Sequence, residues 1–244
     1  MARRRTLALL VALLVATAAL AACGGGSGEE ARVFAASSLT DVLPRIEPDA
    51  TYSLAGSDEL AAQLRQGAPA DVFVSAAPRY VEQLAAEGLV VDARVVATNA
   101  LVVIVPAANP AGVRAPADLT RAGLRLVIGA EGVPVGDYAR DALGALGLED
   151  ALANVVSGEE SARSVVAKVV LGEADAGIVF RTDAAAAGDD VATVALPAEA
   201  QPRIEYVAAR VTASDRAAAG RAWLERLASP EGRAALRAAG FGDP

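Results

Sequence analysis

Four segments place small or hydroxyl-bearing residues where a short apolar stretch is followed by a predicted helix. They are residues 36–39, 56–58, 133–136 and 160–163, and all but the third contain serine. A helix N-terminus presents unpaired N–H groups and about half a positive charge, so it attracts anions, and a serine hydroxyl adds a donor. Serine is also a preferred helix cap, so capping alone is the other interpretation of each segment.

The elements that must position these segments alternate between strand and helix. This alternation favours an α/β protein with mostly parallel sheets covered by helices. Such sheets bind ligands at the carboxyl ends of their strands, but spacing along the chain does not show whether the four segments converge. Strands are predicted at 32–36, 51–55, 71–75, 100–105, 124–128, 176–180, 191–196 and 204–210, and helices at 38–41, 57–64, 78–87, 134–146, 161–171 and 214–239.

The composition excludes several kinds of function. The 244-residue chain has no histidine, one cysteine, 30 acidic and 22 basic residues, and a formal net charge of −8. Without histidine there is no Ser-His-Asp or Cys-His nucleophile, and a zinc or copper site lacks its commonest ligand. An acidic chain is also a poor partner for nucleic acid, whose phosphates require a basic surface. We therefore predict a binding protein without cofactor rather than an enzyme.

The N-terminal segment has the pattern of an export signal. Three arginines at residues 3–5 precede an apolar run at 7–20, which is typical of a signal peptide. The Leu-Ala-Ala-Cys string at residues 20–23 resembles the lipobox of bacterial lipoproteins, whose cysteine receives a diacylglycerol. We predict a signal peptide at 1–22, a lipid on Cys23 and a tether at 23–31; a plain signal peptide or a membrane anchor is the alternative. The expected location is extracytoplasmic, anchored to the cell membrane by lipid alone.

Four strings that occur in order along the body of the chain carry a family resemblance. They are VFAASSLT at 33–40, GAPADVFVSA at 67–76, GVPVGDYA at 132–139 and GEADAGIVF at 172–180. Together they resemble the periplasmic molybdate-binding protein family, the substrate-binding components of molybdate ABC importers. The resemblance extends over about residues 32–242, nearly the whole mature chain.

The resemblance implies a type II periplasmic-binding-protein fold, in which two α/β lobes are joined by two hinge strands. Residues 100–105 and 203–210 match the hinge strands. Lobe 1 would comprise residues 31–103 and 205–244, and lobe 2 would comprise residues 104–204. The implied protein is a monomer that closes around its ligand and delivers it to an ABC permease and its ATPase.

The resemblance also implies a ligand set for molybdate. Ser38 and Ser57 match two serine hydroxyl donors, and Val135 and Ala162 match two backbone amide donors. Phe180 matches the position of a family tyrosine, so this chain lacks that hydroxyl, and a water or Ser37 or Ser161 could replace it. Asp58 is a second departure, because the family often has a neutral residue there; its carboxylate could cap the helix and point outward.

Donors alone suit molybdate and tungstate, which are dianions without a proton at neutral pH, whereas protonated phosphate would leave its own donor unpaired. Molybdenum enters this prediction only as the centre of the bound oxyanion. Two alternatives remain open: the same fold could bind another tetrahedral oxyanion such as sulfate, or the protein could be a tethered sensor without a transport role.

Overall fold

The structure is a computed structural model that describes residues 30–244. The predicted signal peptide, the lipid-bearing Cys23 and nearly all of the tether lie outside the described residues. Within the described part, no helix combines the length and the apolar character that crossing a membrane requires.

Residues 30–244 form ten strands in two five-stranded sheets. The first sheet has the order β2-β1-β3-β10-β4 and the second the order β7-β6-β8-β5-β9. The two orders correspond strand by strand, so the lobes repeat one topology. The strands are β1 (Arg32–Ala36), β2 (Thr51–Ala55), β3 (Val72–Ser75), β4 (Val90–Asn99), β5 (Leu101–Pro106), β6 (Leu126–Gly129), β7 (Val155–Glu159), β8 (Ala176–Phe180), β9 (Val191–Ala195) and β10 (Ile204–Val211).

Both sheets are mixed, because the mostly parallel arrangement that was predicted is interrupted by one reversed strand in each. Four strands of each sheet run in one direction and the fifth runs opposite, so two of the four strand pairs in each sheet are antiparallel. The reversed strand is β10 in the first sheet and β5 in the second, and each is the first strand that the chain forms on entering that sheet from the other lobe. A strand that enters a sheet directly from the other lobe has no helical crossover before it. A parallel pairing of consecutive strands requires such a crossover, whereas an antiparallel pairing does not.

Eight α-helices of the described chain pack against the sheets and bury the apolar positions that their periodicity predicts. In the helix at 162–170, for example, Ala162, Val165 and Val169 are buried, whereas Val170 at the edge of the predicted stripe is exposed. The helices are α1 (Leu43–Ile46), α2 (Ser57–Arg65), α3 (Pro78–Ala86), α4 (Pro134–Ala145), α5 (Ala162–Val170), α6 (Arg181–Ala187), α7 (Ala217–Ala228) and α8 (Pro230–Ala238).

Three elements were not predicted: β4, β7 and α6. The strands β4 and β7 are both edge strands, and several of their side chains are exposed, so neither has the continuous apolar run of a central strand. The helix predicted to open at residues 38–41 begins later, because a short 3-10 turn at Ser37–Leu39 precedes α1.

The chain changes sheets at Ala100. Asn99 pairs with Ile204 in the first sheet, whereas Leu101 pairs with Phe180 in the second. The return follows residues 196–203, between β9 and β10. The two predicted hinge strands therefore each lie in one sheet, and residues 101–103 belong to the second sheet rather than to lobe 1 as predicted.

In each sheet an arginine–aspartate pair of the same geometry links two neighbouring parallel strands at their N-terminal ends. In the first, Arg32 donates from its backbone N–H and from Nη2 to Asp71, at 2.7 Å each. In the second, Arg125 donates in the same way to Asp175, at 2.8 and 2.7 Å. The Asp71 side chain is 0% exposed and also accepts from Ser214, whereas the Asp175 side chain is 18% exposed. Burial raises the pKa of Asp71, but the bonds from Arg32 and Ser214 outweigh it and hold that pKa below its usual value.

This difference in burial generates a prediction for the variants Asp71→Ala and Asp175→Ala. Removing Asp71 leaves Arg32 with only the exposed Asp215 as its partner and leaves the Ser214 hydroxyl without its acceptor, so the free energy of unfolding should fall by about 3 kcal/mol. Removing Asp175 should cost about 1 kcal/mol, because solvent reaches its partner. Urea unfolding of both variants measures the two losses, and equal losses would show that burial does not decide the strength of this pair.

Candidate ligand-binding cleft

All five residues of the predicted ligand set line one small cavity between the lobes. Lobe 1 contributes Ser38 and Ser57, and lobe 2 contributes Val135, Ala162 and Phe180. The structure thus brings together the four segments whose convergence the sequence left open. The other lining residues are Ala36, Ser37, Ala55, Gly56, Ala76, Val133, Pro134 and Ser161.

The strands explain this convergence. The cavity-lining segments follow β1 and β2 in lobe 1, and β6, β7 and β8 in lobe 2, each at the carboxyl end of its strand. Because these strands are parallel within their sheet, their carboxyl ends lie along one edge. The two edges face each other across the cavity, as is usual for ligand sites of α/β sheets.

Ser38 and Ser57 do not cap helices, whereas Ser161 does. No side chain caps the 3-10 turn at Ser38 or the helix α2, which begins at Ser57 itself. Ser161 accepts from the Ser164 N–H at 3.1 Å and pairs with the Ser164 hydroxyl. Capping therefore accounts for Ser161, but it leaves Ser38 and Ser57, both buried, without a structural role at a helix end.

Backbone amides supply further donors. Val135 and Ala162 lie in the first turns of α4 and α5, where N–H groups have no partner within the helix. Gly136 lets α4 approach the end of β6, because a Cβ at this position would lie 2.2 Å from the Gly129 carbonyl oxygen. This close approach brings the Val135 amide to the cavity.

Phe180 presents an apolar ring to the cavity. It is buried, and its ring packs edge-on between Tyr138 and Tyr206, with centroid distances of 6.3 and 6.0 Å. Ser37 and Ser161, the two hydroxyls considered as replacements for the family tyrosine, both line the cavity.

No residue that lines the cavity carries a charged side chain. Positive potential there comes from helix N-termini and oriented amides. Asp58 is close by but does not line the cavity, and it does not cap α2. Its Oδ1 atom is buried and has no hydrogen-bond partner within residues 30–244, so the outward-pointing cap expected for Asp58 is wrong.

The lobes touch at two places beside the cavity. Arg79 of α3 donates to the Gly132 carbonyl at 2.7 Å and forms an ion pair with Asp137 of α4. Elsewhere Arg163 of α5 forms an ion pair with Asp41 of lobe 1. These contacts between side chains of opposite lobes define a closed arrangement.

The lobes also approach closely at Gly56. A Cβ at Gly56 would lie 2.6 Å from the carbonyl oxygen of Glu160, which belongs to the other lobe. Only glycine allows the lobes to come this near beside the cavity.

Asp183 lies next to the ion pair between Arg163 and Asp41 and is fully buried. Its Oδ1 is 3.4 Å from Nε of Arg163, which also pairs with Asp41. Burial raises the pKa of Asp183 to about 7, although the Arg163 charge acts in the opposite direction.

The raised pKa predicts how stability depends on pH. The folded protein binds the Asp183 proton more tightly than the unfolded chain does, so this contribution to stability is complete at acidic pH and is lost as pH rises towards 7. The slope is at most about 1.4 kcal/mol per pH unit.

Asp183→Asn should remove that slope, because asparagine resembles the protonated form and does not titrate. Urea unfolding between about pH 4 and pH 8 measures the difference from the unsubstituted protein. Asp189→Asn, an exposed position just beyond α6, is the control and should leave the profile unchanged. Parallel profiles for the unsubstituted protein and Asp183→Asn would contradict the raised pKa.

Two lobes of one topology, with a donor-lined cavity between them, define a two-lobed solute-binding protein. The chain belongs to the family of bacterial extracellular solute-binding proteins, whose family model matches residues 31–242. This membership confirms the predicted fold class and the prediction of a binding protein rather than an enzyme.

Relatives support the resemblance seen in the sequence. The chain is 35% identical to the molybdate-binding protein ModA of Mycobacterium bovis, over 97% of both chains. It is 32% identical to ModA of Escherichia coli, over 93% of this chain and 96% of that protein. The periplasmic molybdate-binding protein of Azotobacter vinelandii has the same fold, with a TM-score of 0.75, 24% identity, and coverage of 88% of this chain and 100% of that one. The predicted relationship to molybdate-binding proteins is confirmed.

Some residues at the cleft were not predicted. The sequence analysis missed the ion pairs of Arg79 and Arg163, since their partners come from the other lobe and no local pattern marks them. It also missed Tyr206, whose hydroxyl lies 2.6 Å from the Ser38 hydroxyl. A single tyrosine within the apolar predicted strand 204–210 was the one signal available.

Proposed function

We propose that this protein captures molybdate in the cleft between its lobes and delivers it to the permease of an ABC importer. The observation that carries the proposal is the cavity lined by hydroxyls and amides of both lobes and by no charged side chain. The molybdate-binding relatives match nearly the whole chain, which supports the same ligand class. Both halves of the cavity come from one chain, so a monomer is the binding unit.

The chemistry of the cavity suits a fully ionised tetrahedral oxyanion. Ser38 and Ser57 would donate from lobe 1, and the amides of Val135 and Ala162 from lobe 2. Hydrogen bonds to a charged acceptor are short and strong, and oriented amides stabilise the charge without a cationic side chain. The anion thus satisfies donors on both lobes at once, which favours the closed arrangement.

Tungstate has the same charge and shape and should bind at the same site. The protein makes no bond to the metal in this proposal, since molybdenum is reached only through its oxygens. Within residues 30–244, no group of three or more carboxylates, histidines or cysteines could hold a metal ion.

Titration calorimetry of the purified protein with molybdate, tungstate, sulfate and phosphate tests the function. Molybdate and tungstate should bind, and sulfate and phosphate should bind far more weakly, because sulfate is smaller and protonated phosphate brings an unpaired donor. Tightest binding of sulfate would favour the alternative oxyanion instead. Binding of molybdate without loss of molybdate uptake on gene deletion would favour the tethered sensor.

Ser38→Ala and Ser57→Ala test the two hydroxyl donors. Each loses a hydrogen bond to a charged group, worth about 1.5–3 kcal/mol, so molybdate should bind roughly tenfold to a hundredfold more weakly. Ser157→Ala is the matched control, because the Ser157 hydroxyl bonds to Glu159 and does not line the cavity. Calorimetry measures all three, and unchanged affinity in both cavity variants would overturn the assigned ligands.

Phe180→Tyr restores the hydroxyl of the family pattern. The ring volume is nearly conserved, so the fold should persist, and one more donor to a charged acceptor should tighten molybdate binding about tenfold. Calorimetry together with thermal unfolding checks both parts. Weaker binding would show that the cavity is packed around phenylalanine and that another group satisfies this oxygen of the anion.

We also propose that Cys23 carries a lipid that holds the protein at the cell membrane, on the strength of the Leu-Ala-Ala-Cys string. Acyl chains contribute about 0.8 kcal/mol for each buried methylene, which is enough to retain a protein of this kind at a membrane when several chains are attached. Cys23→Ser should release the protein into the soluble extracytoplasmic fraction. Fractionation measures this release, and unchanged membrane association of Cys23→Ser would rule the anchor out.

A further inference from the structure

A chain of hydrogen bonds runs from the crossing between the lobes to Ser38. The Asn99 Nδ2 atom lies 2.9 Å from the Thr182 Oγ1 atom and 3.3 Å from the Tyr206 hydroxyl oxygen. The Tyr206 hydroxyl lies 2.6 Å from the Ser38 hydroxyl. Asn99 is the residue before Ala100, where the chain changes sheets.

The backbone determines the direction of the first bond in this chain. The Ala100 N–H donates to Asn99 Oδ1 at 2.9 Å, so the oxygen of the Asn99 amide must face that N–H. The other side of the amide is then the NH₂ group, which can only donate. Its two hydrogens go to Thr182 and Tyr206, and the Tyr206 oxygen is therefore an acceptor from Asn99.

The hydroxyl proton of Tyr206 has one available acceptor among the described residues. Tyr206 is completely buried, and its hydroxyl contacts only Asn99 and Ser38 among the described residues. If Ser38 donated to Tyr206, the phenolic proton would be buried without a partner, which costs about 1–3 kcal/mol. The Tyr206 proton is therefore donated to Ser38. Burial also raises the pKa of Tyr206 far above its usual value, so this proton is retained at every physiological pH.

We propose that Tyr206 is a positioning residue that makes Ser38 an obligatory donor to the ligand. Because the Ser38 oxygen accepts from Tyr206, its own proton is left to point at the anion in the cleft. A hydroxyl whose proton points at the anion presents a donor there rather than a lone pair, so Tyr206 contributes to rejecting hydrogen phosphate, which brings a proton of its own. This inference rests on the proposed function, since it assumes that Ser38 contacts the bound anion.

The Ser57 hydroxyl is also oriented as a donor towards the cleft, but a different kind of group orients it. Its hydroxyl oxygen accepts from the Ala76 N–H at 3.0 Å, which leaves the Ser57 proton for the cleft as well. Both serine hydroxyls of lobe 1 thus receive a fixed donor from the protein. The difference is that the donor to Ser57 is a backbone group, whereas the donor to Ser38 is a side chain that can be replaced.

A double-mutant cycle between Tyr206 and Ser38 tests the proposal. Tyr206→Phe keeps the ring and its edge contacts but frees the Ser38 hydroxyl to rotate, so molybdate should bind about tenfold more weakly. In the Ser38→Ala background the same change should have little further effect, because there is no longer a hydroxyl to orient. A residue that only stabilises the fold would cost the same in both backgrounds.

The ratio of molybdate to phosphate affinity gives a second readout. Tyr206→Phe should lower this ratio about tenfold, because the freed Ser38 hydroxyl can accept a hydrogen bond from hydrogen phosphate while it donates less reliably to molybdate. Tyr52→Phe is the matched control. The Tyr52 hydroxyl bonds to the carbonyls of Leu43 and Glu47, away from the cavity, so its removal should leave both affinities unchanged.

Asn99→Asp provides a variant of nearly unchanged shape in case Tyr206→Phe does not fold. Aspartate accepts where the amide donated, so Tyr206 would turn its proton to residue 99 and Ser38 would have to donate to Tyr206. The loss of molybdate affinity should be larger with Ser38 present than in Ser38→Ala, where only the added charge acts.

Equal losses in the two backgrounds, or an unchanged affinity in Tyr206→Phe, would overturn the role of Tyr206. Failure of the unsubstituted protein to bind molybdate would overturn the proposed function instead.

Discussion

The need to hold a dianion without a cationic side chain is the constraint on which the cleft depends. In the proposed site, unpaired amides at the N-termini of α4 and α5 face the anion from one lobe, and two hydroxyls face it from the other. Such donors act together only if strands of both lobes end at facing edges. The common strand order of the two sheets provides those edges, and the pairs around Arg79 and Arg163 hold them in contact.

Whether each serine hydroxyl donates or accepts a hydrogen bond matters as much as its position. A serine can donate or accept, and a free hydroxyl would serve a protonated anion as well as an unprotonated one. In this cleft the Ala76 amide donates to Ser57 and the Tyr206 hydroxyl donates to Ser38, which leaves the proton of each serine for the ligand. Selectivity by charge state in the proposed site thus depends on the groups that orient the two serines. The Phe180 ring removes one donor from the family pattern, which increases the weight of those that remain.

The sequence predicts the central elements well. The strands at 32–36 and 176–180 were predicted to the residue, because buried strands carry continuous apolar runs bounded by turn residues. The five residues predicted to bind the ligand, taken from motifs that resemble a known family, all line one cavity. The edge strands β4 and β7 were missed, since half-exposed strands lack that run, and the mixed pairing of the sheets follows from how the chain returns between lobes.

The sequence by itself determined the class of protein and the residue types at the cleft, since periodicity, motif order and the absence of histidine are local or compositional properties. Only the tertiary structure decided that Ser161 caps a helix while Ser38 and Ser57 do not, and that Tyr206 orients Ser38. These outcomes depend on groups that are far apart in the chain, Ser38 and Tyr206 being 168 residues apart. The direction of a hydrogen bond is decided by the neighbours that folding brings together, and no local pattern encodes them.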